Sequence, residues 1–433
     1  MSDVEERTYR VDLMTRVEGE GRFVLSMKDG QVVDAALSIF EAPRFFEAFL
    51  RGRGAEETVD IVARICGICP VAYQVSASRA LEQAFGVTLT EPVRALRRLL
   101  YCGEWIESHA LHVFMLHAPD FLGYPSAVEM AADHRAVVEQ GLRLKKAGNA
   151  ILEQLGGRAT HPVSPRIGGF HRAPRKGELA ALREQIARGL DECLETVRWA
   201  AGLDAPDFTQ PYVFVALDDT RYPLESGDRI LVSDRDPVSV DDWGETIDEH
   251  QVPHSNALQA RLPGGVAYLS GPMARLHFHA ERLHPVAAEV MREVGLGRSE
   301  QNPYRSIVVR AVEMAHAFAE ARDILDAYVE PEPPFVKSAP RAGVGFGASE
   351  APRGLLWHRY EVDAEGLIRD ARIVPPTSQN QARIEEDLRG LGPTLAAMPH
   401  ADATHLCEQL IRAYDPCISC ATHFLDLRIE EGA

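Results

Sequence analysis

An α+β fold, mostly helical, is predicted for this chain, with a bundle of long helices as its core and small β elements near both termini. Two observations predict it. Apolar residues recur at helical spacing through most of the sequence, and alternating or β-rich runs sit towards each end. No linker is obvious enough to cut the 433 residues, so 1–433 reads as one domain.

Residues 1–40 supply the N-terminal β elements. The runs "TYRVDLMTRV" and "GRFVLSMKDGQVVDAALSIF" are rich in Val, Leu, Ile and Phe, and Asp29-Gly30 makes a hairpin turn. A short helix is expected over Pro43–Leu50, with proline in its first turn. Helical spacing then covers 92–117, 127–155, 176–201, 275–295 and 303–329. In the last, Val308, Val312, Ala315, Phe318 and Leu325 form one stripe for a core. Residues 205–270 read as a loop-rich excursion with a few strands, because Pro, Gly and Asp punctuate short apolar runs. The "PEPPF" run at 331–335 ends the last long helix. A second hairpin is expected over 355–375, and closing helices over 379–390 and 403–413.

Composition bounds the function. The chain is 45% hydrophobic and 25% charged, ordinary for a globular protein. A formal net charge of −18 with no basic patch argues against nucleic acid as a partner. No apolar run is long enough for a transmembrane segment, and the acidic start "MSDVEERTYR" is not a signal peptide, so a cytoplasmic location is the expectation. Seven cysteines make poor material for a disulfide framework.

Four of those cysteines carry the chemistry. "RICGICP" holds Cys66 and Cys69, and "DPCISCATH" holds Cys417 and Cys420. Each Cys-x-x-Cys turn aims two thiolates at one point, which suits a soft metal. Spacing alone admits a tetrahedral zinc or mononuclear iron site. Zinc ribbons, however, bring their pairs within a few dozen residues, whereas here nearly the whole chain intervenes. A thioredoxin-like pair would explain one turn and leave the other idle.

Both cysteine motifs resemble the nickel-binding signatures of the large subunit of [NiFe]-hydrogenases. "RVEGEG" at 16–21, "FFEAFLRGR" at 45–53, "GGRATHP" at 156–162 and "EAPRGLL" at 350–356 resemble the same family, in its order. The cytoplasmic, NAD(P)-linked members are most similar, through "CGICPVAYQ" and "VPPTSQNQ". The resemblance implies that Cys66, Cys69, Cys417 and Cys420 hold nickel, that Cys69 and Cys420 also bridge to iron, and that the iron carries CN and CO ligands. It implies reversible heterolytic cleavage of H2, with Cys417 and then Glu18 taking the proton. Arg353 would lie over the open metal position, where its planar fork matters. Asp415 stands beside the cluster, and Thr377 is a candidate to hydrogen-bond the iron's ligands. Glu47 and His423 match a magnesium site, which an imidazole nitrogen also makes compatible with iron.

The same resemblance implies partners. Too few cysteines are left for iron–sulfur clusters, so these belong to a small subunit. Flavin- and nicotinamide-binding diaphorase subunits are expected beyond it, since "GVGFG" at 343–347 opens no clear dinucleotide-binding unit. A maturation endopeptidase is expected to remove residues 424–433. Two other readings share the fold: a hydrogen-sensing subunit with the same site, and the quinone-site subunit of respiratory complex I, which lacks the nickel cysteines. One position departs from the family pattern. Where many members have histidine, four residues after Cys69, this chain has Tyr73, which donates a hydrogen bond but does not titrate near neutrality. His109, His112 and His117 sit at near-helical spacing and read as core or proton-path residues, and Cys193 and Cys407 as buried fillers.

Overall fold

The computed structural model describes residues 6–42 and 45–422. It opens on an antiparallel sheet of β1 (Glu6–Val11), β2 (Gly21–Lys28) and β3 (Gln31–Ile39), in that order. The β2–β3 turn is made at Asp29 and Gly30, both at positive φ. A one-turn helix, Phe46–Leu50, follows.

After a shorter helix, Ala55–Val62, come four long ones: α1 (Pro70–Phe85), α2 (Glu91–Ala110), α3 (Arg135–Gly156) and α4 (Ala180–Ala201). The helix expected over 92–117 changes pitch. After Ala110 it runs as a π-helix over Leu111–His117, a widened turn that carries His112 and His117 into the interior. The expected stretch 275–295 is broken into Pro272–His279 and Pro285–Glu293. Pro285 cannot continue a helix from the preceding turn, and His284 caps the new start by accepting from the Val286 N–H at 3.3 Å.

The excursion at 205–270 is more ordered than its composition suggests. It contains β4 (Phe214–Asp218), β5 (Arg229–Val232), β6 (Arg235–Ser239) and β7 (Leu269–Ser270), in sheet order β7-β4-β5-β6. A separate two-stranded ribbon pairs Asp248–Gln251 with Leu258–Arg261.

The long helix α5 (Ser306–Asp326) fills the centre. All five residues of its predicted stripe are buried, and so are Arg310, Glu313 and His316 on its other faces. A helix buried around its circumference must satisfy its polar side chains internally. Beyond it lie β8 (Gly343–Ala351), β9 (Gly354–Val362) and β10 (Ile368–Val374), an antiparallel sheet in that order. Only the last two were expected. β8 contains "GVGFG", and its glycines let the strand lie directly on α1. A Cβ added at Gly345 would come within 2 Å of the Ala80 carbonyl oxygen, and one at Gly347 would meet the Ser76 carbonyl oxygen. The opposite face of this sheet packs Leu355, Trp357 and Val374 against Val215 of β4, Ile230 of β5 and Trp243. Helices α6 (Pro376–Gly390) and α7 (His400–Ala413) close the chain. Among the described residues, no helix is long and apolar enough to cross a membrane.

Candidate metal centre

The two ends of the chain meet through backbone pairing. Glu18 and Cys417 form a parallel bridge, with the Ile418 N–H donating to the Glu18 carbonyl at 2.9 Å. The "RVEGEG" glycines make that approach geometrically feasible. Gly19 has φ +88°, and a Cβ there would stand 2.8 Å from Ile418 Cβ and 2.6 Å from the Glu41 carboxylate.

The first cysteine pair sits at the entrance to α1. A single 3₁₀ turn, Ala63–Ile65, delivers Cys66, and Cys69 directly precedes Pro70. Cys66 Sγ accepts from the Ile68 and Cys69 N–H groups, each at 3.3 Å, which fixes the turn. The "RATHP" segment braces it: His161 Nδ1 lies 2.7 Å from the Ala63 carbonyl, and Gln74 Nε2 donates to Pro162 O at 2.7 Å. In the second pair Cys417 caps the short helix Ile418–Ala421 and Cys420 lies within it, after Asp415 has turned the chain at φ +54°.

All four Sγ atoms lie within 4.8 Å of one another, and Cys66 and Cys417 are 3.5 Å apart. Each residue is at most 4% exposed. The hydrogen bond with Cys417 holds the Cys66 thiol well below its usual range, while burial pushes Cys417 and Cys420 well above theirs. Four packed thiols cannot all ionise unaided. A cation that replaces their protons removes the conflict, and binding it releases those protons.

The other predicted residues fall at stated distances. Glu18 Oε2 accepts from Cys417 Sγ at 3.1 Å and from the Ser419 N–H at 3.0 Å. Glu20 is exposed. Arg353 is 2% exposed; its Nε donates to Asp415 O at 2.8 Å and its Nη2 to Asp415 Oδ1 at 3.2 Å. Its Nη1 is buried with no acceptor among the described residues. Asp415 Oδ2 also faces Arg310 Nη1 at 3.6 Å. Thr377 Oγ1 accepts from the Cys417 N–H at 2.9 Å, so its own hydroxyl proton is free to point elsewhere. Glu47 Oε1 accepts from the Ile373 N–H at 2.6 Å, on the edge of the C-terminal sheet. His423 and residues 424–433 lie outside the described residues. Tyr73 is 1% exposed, and burial, with the field of Cys420 next, pushes its phenol well above the usual range.

Three groups were not singled out from the sequence. Glu104, fully buried in α2, accepts from the Val71 N–H at 2.6 Å and the Ala72 N–H at 3.0 Å, and so holds the start of α1 behind Cys69. Ser419 Oγ donates to Glu41 at 3.0 Å, one step beyond Glu18. His358, on β9, packs its ring 5.7 Å from that of Tyr73. Only Glu104 carried a usable signal, a carboxylate among apolar neighbours on a long helix.

Comparison with known proteins agrees with this geometry. The family model described as nickel-dependent hydrogenase matches residues 44–172 and 304–423. Sulfhydrogenase 2 subunit alpha of Pyrococcus furiosus is 33% identical over 420 residues, covering 96% of this chain and 99% of the relative. The NAD-reducing hydrogenase HoxS subunit beta of Cupriavidus necator is 27% identical, covering 96% and 94%. Among solved structures, an NAD+-reducing [NiFe]-hydrogenase in its H2-reduced state superposes with a TM-score of 0.85 at 29% identity, covering 96% of this chain and 99% of that one.

Proposed function

The chain belongs to the nickel-dependent hydrogenase family, as a large subunit, and from that premise we propose how its residues divide the work of splitting and forming H2. The observation that carries the reading is the buried cluster of four sulfurs, drawn from opposite ends of the chain, with a carboxylate 3.1 Å from one of them. Zinc would accept the same sulfurs. It has no use for a carboxylate against a ligand sulfur, or for a buried guanidinium nitrogen left without an acceptor. A two-metal centre with small polar ligands uses both.

Cys66, Cys69, Cys417 and Cys420 would together hold the nickel–iron centre. The bound centre supplies an open, electron-rich position at which H2 is polarised towards heterolysis. Cys417 Sγ would take the proton and pass it across 3.1 Å to Glu18, a half-buried carboxylate poised for relay. Arg353, oriented by both contacts to Asp415, would offer its unsatisfied Nη1 N–H to small polar ligands of the bound centre. Thr377, whose Oγ1 accepts from the Cys417 N–H, would offer its hydroxyl proton to the same ligands. Glu47, with His423, would hold magnesium or iron at the C-terminal side, and removal of residues 424–433 by an endopeptidase would follow nickel loading.

The electrons leave through an iron–sulfur small subunit. Nicotinamide is the proposed terminal acceptor, reached through flavin- and nicotinamide-binding subunits in the cytoplasm. What supports this is the pair of NAD-reducing relatives, one curated and one solved. Purified native complex under H2 should reduce NAD+ or NADP+ at a rate comparable with its reduction of viologen. Viologen reduction without nicotinamide reduction would remove the proposed acceptor and leave the hydrogenase assignment in place.

A further inference from the structure

We infer that Glu41 is a positioning residue for the proton transfer, its carboxylate tying Glu20 to Ser419 and so setting the gap between Cys417 Sγ and Glu18. This rests on the two-metal reading above and goes beyond it by assigning what holds donor and acceptor at their spacing.

Cys417 and Glu18 are 399 residues apart in sequence, yet Sγ and Oε2 stand 3.1 Å apart. A positioned acceptor loses its worth quickly as it drifts from its donor, so the gap must be held as well as reached. The backbone bridge between Glu18 and Cys417 holds the main chains, and the Ser419 N–H donates to Glu18 Oε2 at 3.0 Å. Both contacts depend on residues 418–419 keeping their place against residues 18–20.

Glu41 joins those two segments. Its Oε1 accepts from the Glu20 N–H at 2.7 Å, and the Ser419 hydroxyl donates to its Oε2 at 3.0 Å and its Oε1 at 3.3 Å. One carboxylate therefore links the residue two beyond Glu18 to the residue two beyond Cys417. Gly19 leaves room for it, since a Cβ there would stand 2.6 Å from Glu41 Oε1.

The clamp is itself anchored. Glu41 lies two residues past the end of β3, where Asn256 Nδ2 donates to its carbonyl at 3.0 Å and the Asn256 N–H donates to Ile39 O at 2.7 Å. The next residue, Ala257, bridges to Thr422, which caps the far end of the helix that carries Cys420. That helix is thus gripped near its start through Ser419 and at its end through Thr422.

The test reads four quantities on the metal-loaded complex: nickel content, viologen reduction under H2, the D2O solvent isotope effect, and hydrogen exchange of residues 417–421. Glu41→Ala should lose about tenfold in turnover at parent nickel content, the cost of a displacement well under 1 Å. Its isotope effect should rise, because proton transfer is the slowed step, and residues 417–421 should exchange faster. Glu41→Gln should recover most of the turnover and the slow exchange, since an amide can accept from Glu20 and donate to the Ser419 oxygen. In a Glu18→Gln background, Glu41→Ala should cost nothing further. Parent turnover in nickel-loaded Glu41→Ala would overturn the inference, and so would a full additional loss in the Glu18→Gln background. Glu41→Gln as slow as Glu41→Ala would also overturn it, by making the carboxyl itself the carrier. If Glu41→Ala does not load nickel, Ser419→Ala decides. A loss of about threefold that vanishes in the Glu18→Gln background would uphold the clamp, and parent turnover would overturn it. A parent complex without cyanide and carbonyl bands would instead overturn the two-metal reading, and this inference with it.

Discussion

Two deeply buried polar regions lie within one fold, and they are built on opposite rules. In the helical core, Arg275 uses every donor it has. Its Nε and Nη2 clamp Glu313 at 2.8 and 2.7 Å, and Nη1 reaches Glu350 at 3.0 Å. The remaining donors go to Ala351 O and Pro352 O, and the guanidinium lies over the Trp105 ring at 4.3 Å. Tyr222 completes Glu313 at 2.7 Å. At the cysteine cluster, by contrast, Arg353 Nη1, the Tyr73 hydroxyl and His358 Nε2 have no partner among the described residues. Burial is the same in both places, so burial does not separate structure from site. Arg275 has every donor used, whereas Arg353 does not. Unpaired buried atoms also occur elsewhere, at Ser108 Oγ, Trp243 Nε1 and both ring nitrogens of His109 and His117, so an unpaired atom marks the site only together with the sulfurs beside it.

Substitutions sharpen that contrast. The largest effect is expected at the sulfurs. Cys66→Ser or Cys420→Ser should abolish nickel retention and H2 turnover together, measured by elemental analysis and viologen reduction. Glu18→Gln should keep its nickel yet lose about 10²–10⁴ in turnover, the usual worth of a positioned proton acceptor. Arg353→Lys should cost about 10²–10³ in turnover with nickel content unchanged, because a point charge does not reproduce the fork held by Asp415. Arg275→Met should behave in the opposite way. Leaving Glu313 and Glu350 buried without their cation should cost about 3–5 kcal/mol in urea unfolding.

The smallest effect concerns pH. Glu107 lies on α2, and burial raises its carboxyl to about 7, opposed by Lys145 at 2.8 Å. Its folded value lies above the ordinary 4.5, so the fold prefers the protonated form. That contribution is complete below about pH 4.5 and is lost as pH rises through about 7, at most about 3 kcal/mol. Glu107→Gln should therefore lose less stability than the parent as pH is raised across this window. Equal losses would show that Glu107 does not couple to folding.

What could be read from the sequence follows from where the information lies. The cysteine pairs, Glu18 and Arg353 stand in short motifs whose residue types carry their own chemistry. Most of the helical core was visible through spacing, but α1 (Pro70–Phe85) and the shorter helix Ala55–Val62 were not among the expected helices. Glu104 and His358 act on groups more than thirty residues away along the chain, Val71 and Tyr73, and only the fold makes them neighbours. β7 is two residues long and pairs with β4 in parallel across a long gap, too short a run to show any period. β8 was hidden because its glycines, needed for contact with α1, read as a turn. In α5 the predicted stripe is there, but burial of the whole circumference turns Arg310, Glu313 and His316 into interior groups.

The most direct test of the central claim is elemental and infrared analysis of the purified native complex on the same sample. The account predicts nickel and iron in equal amounts at the large-subunit site, with cyanide and carbonyl stretching bands, both lost in Cys420→Ser. Zinc in the site, with no such bands from an active preparation, would contradict it.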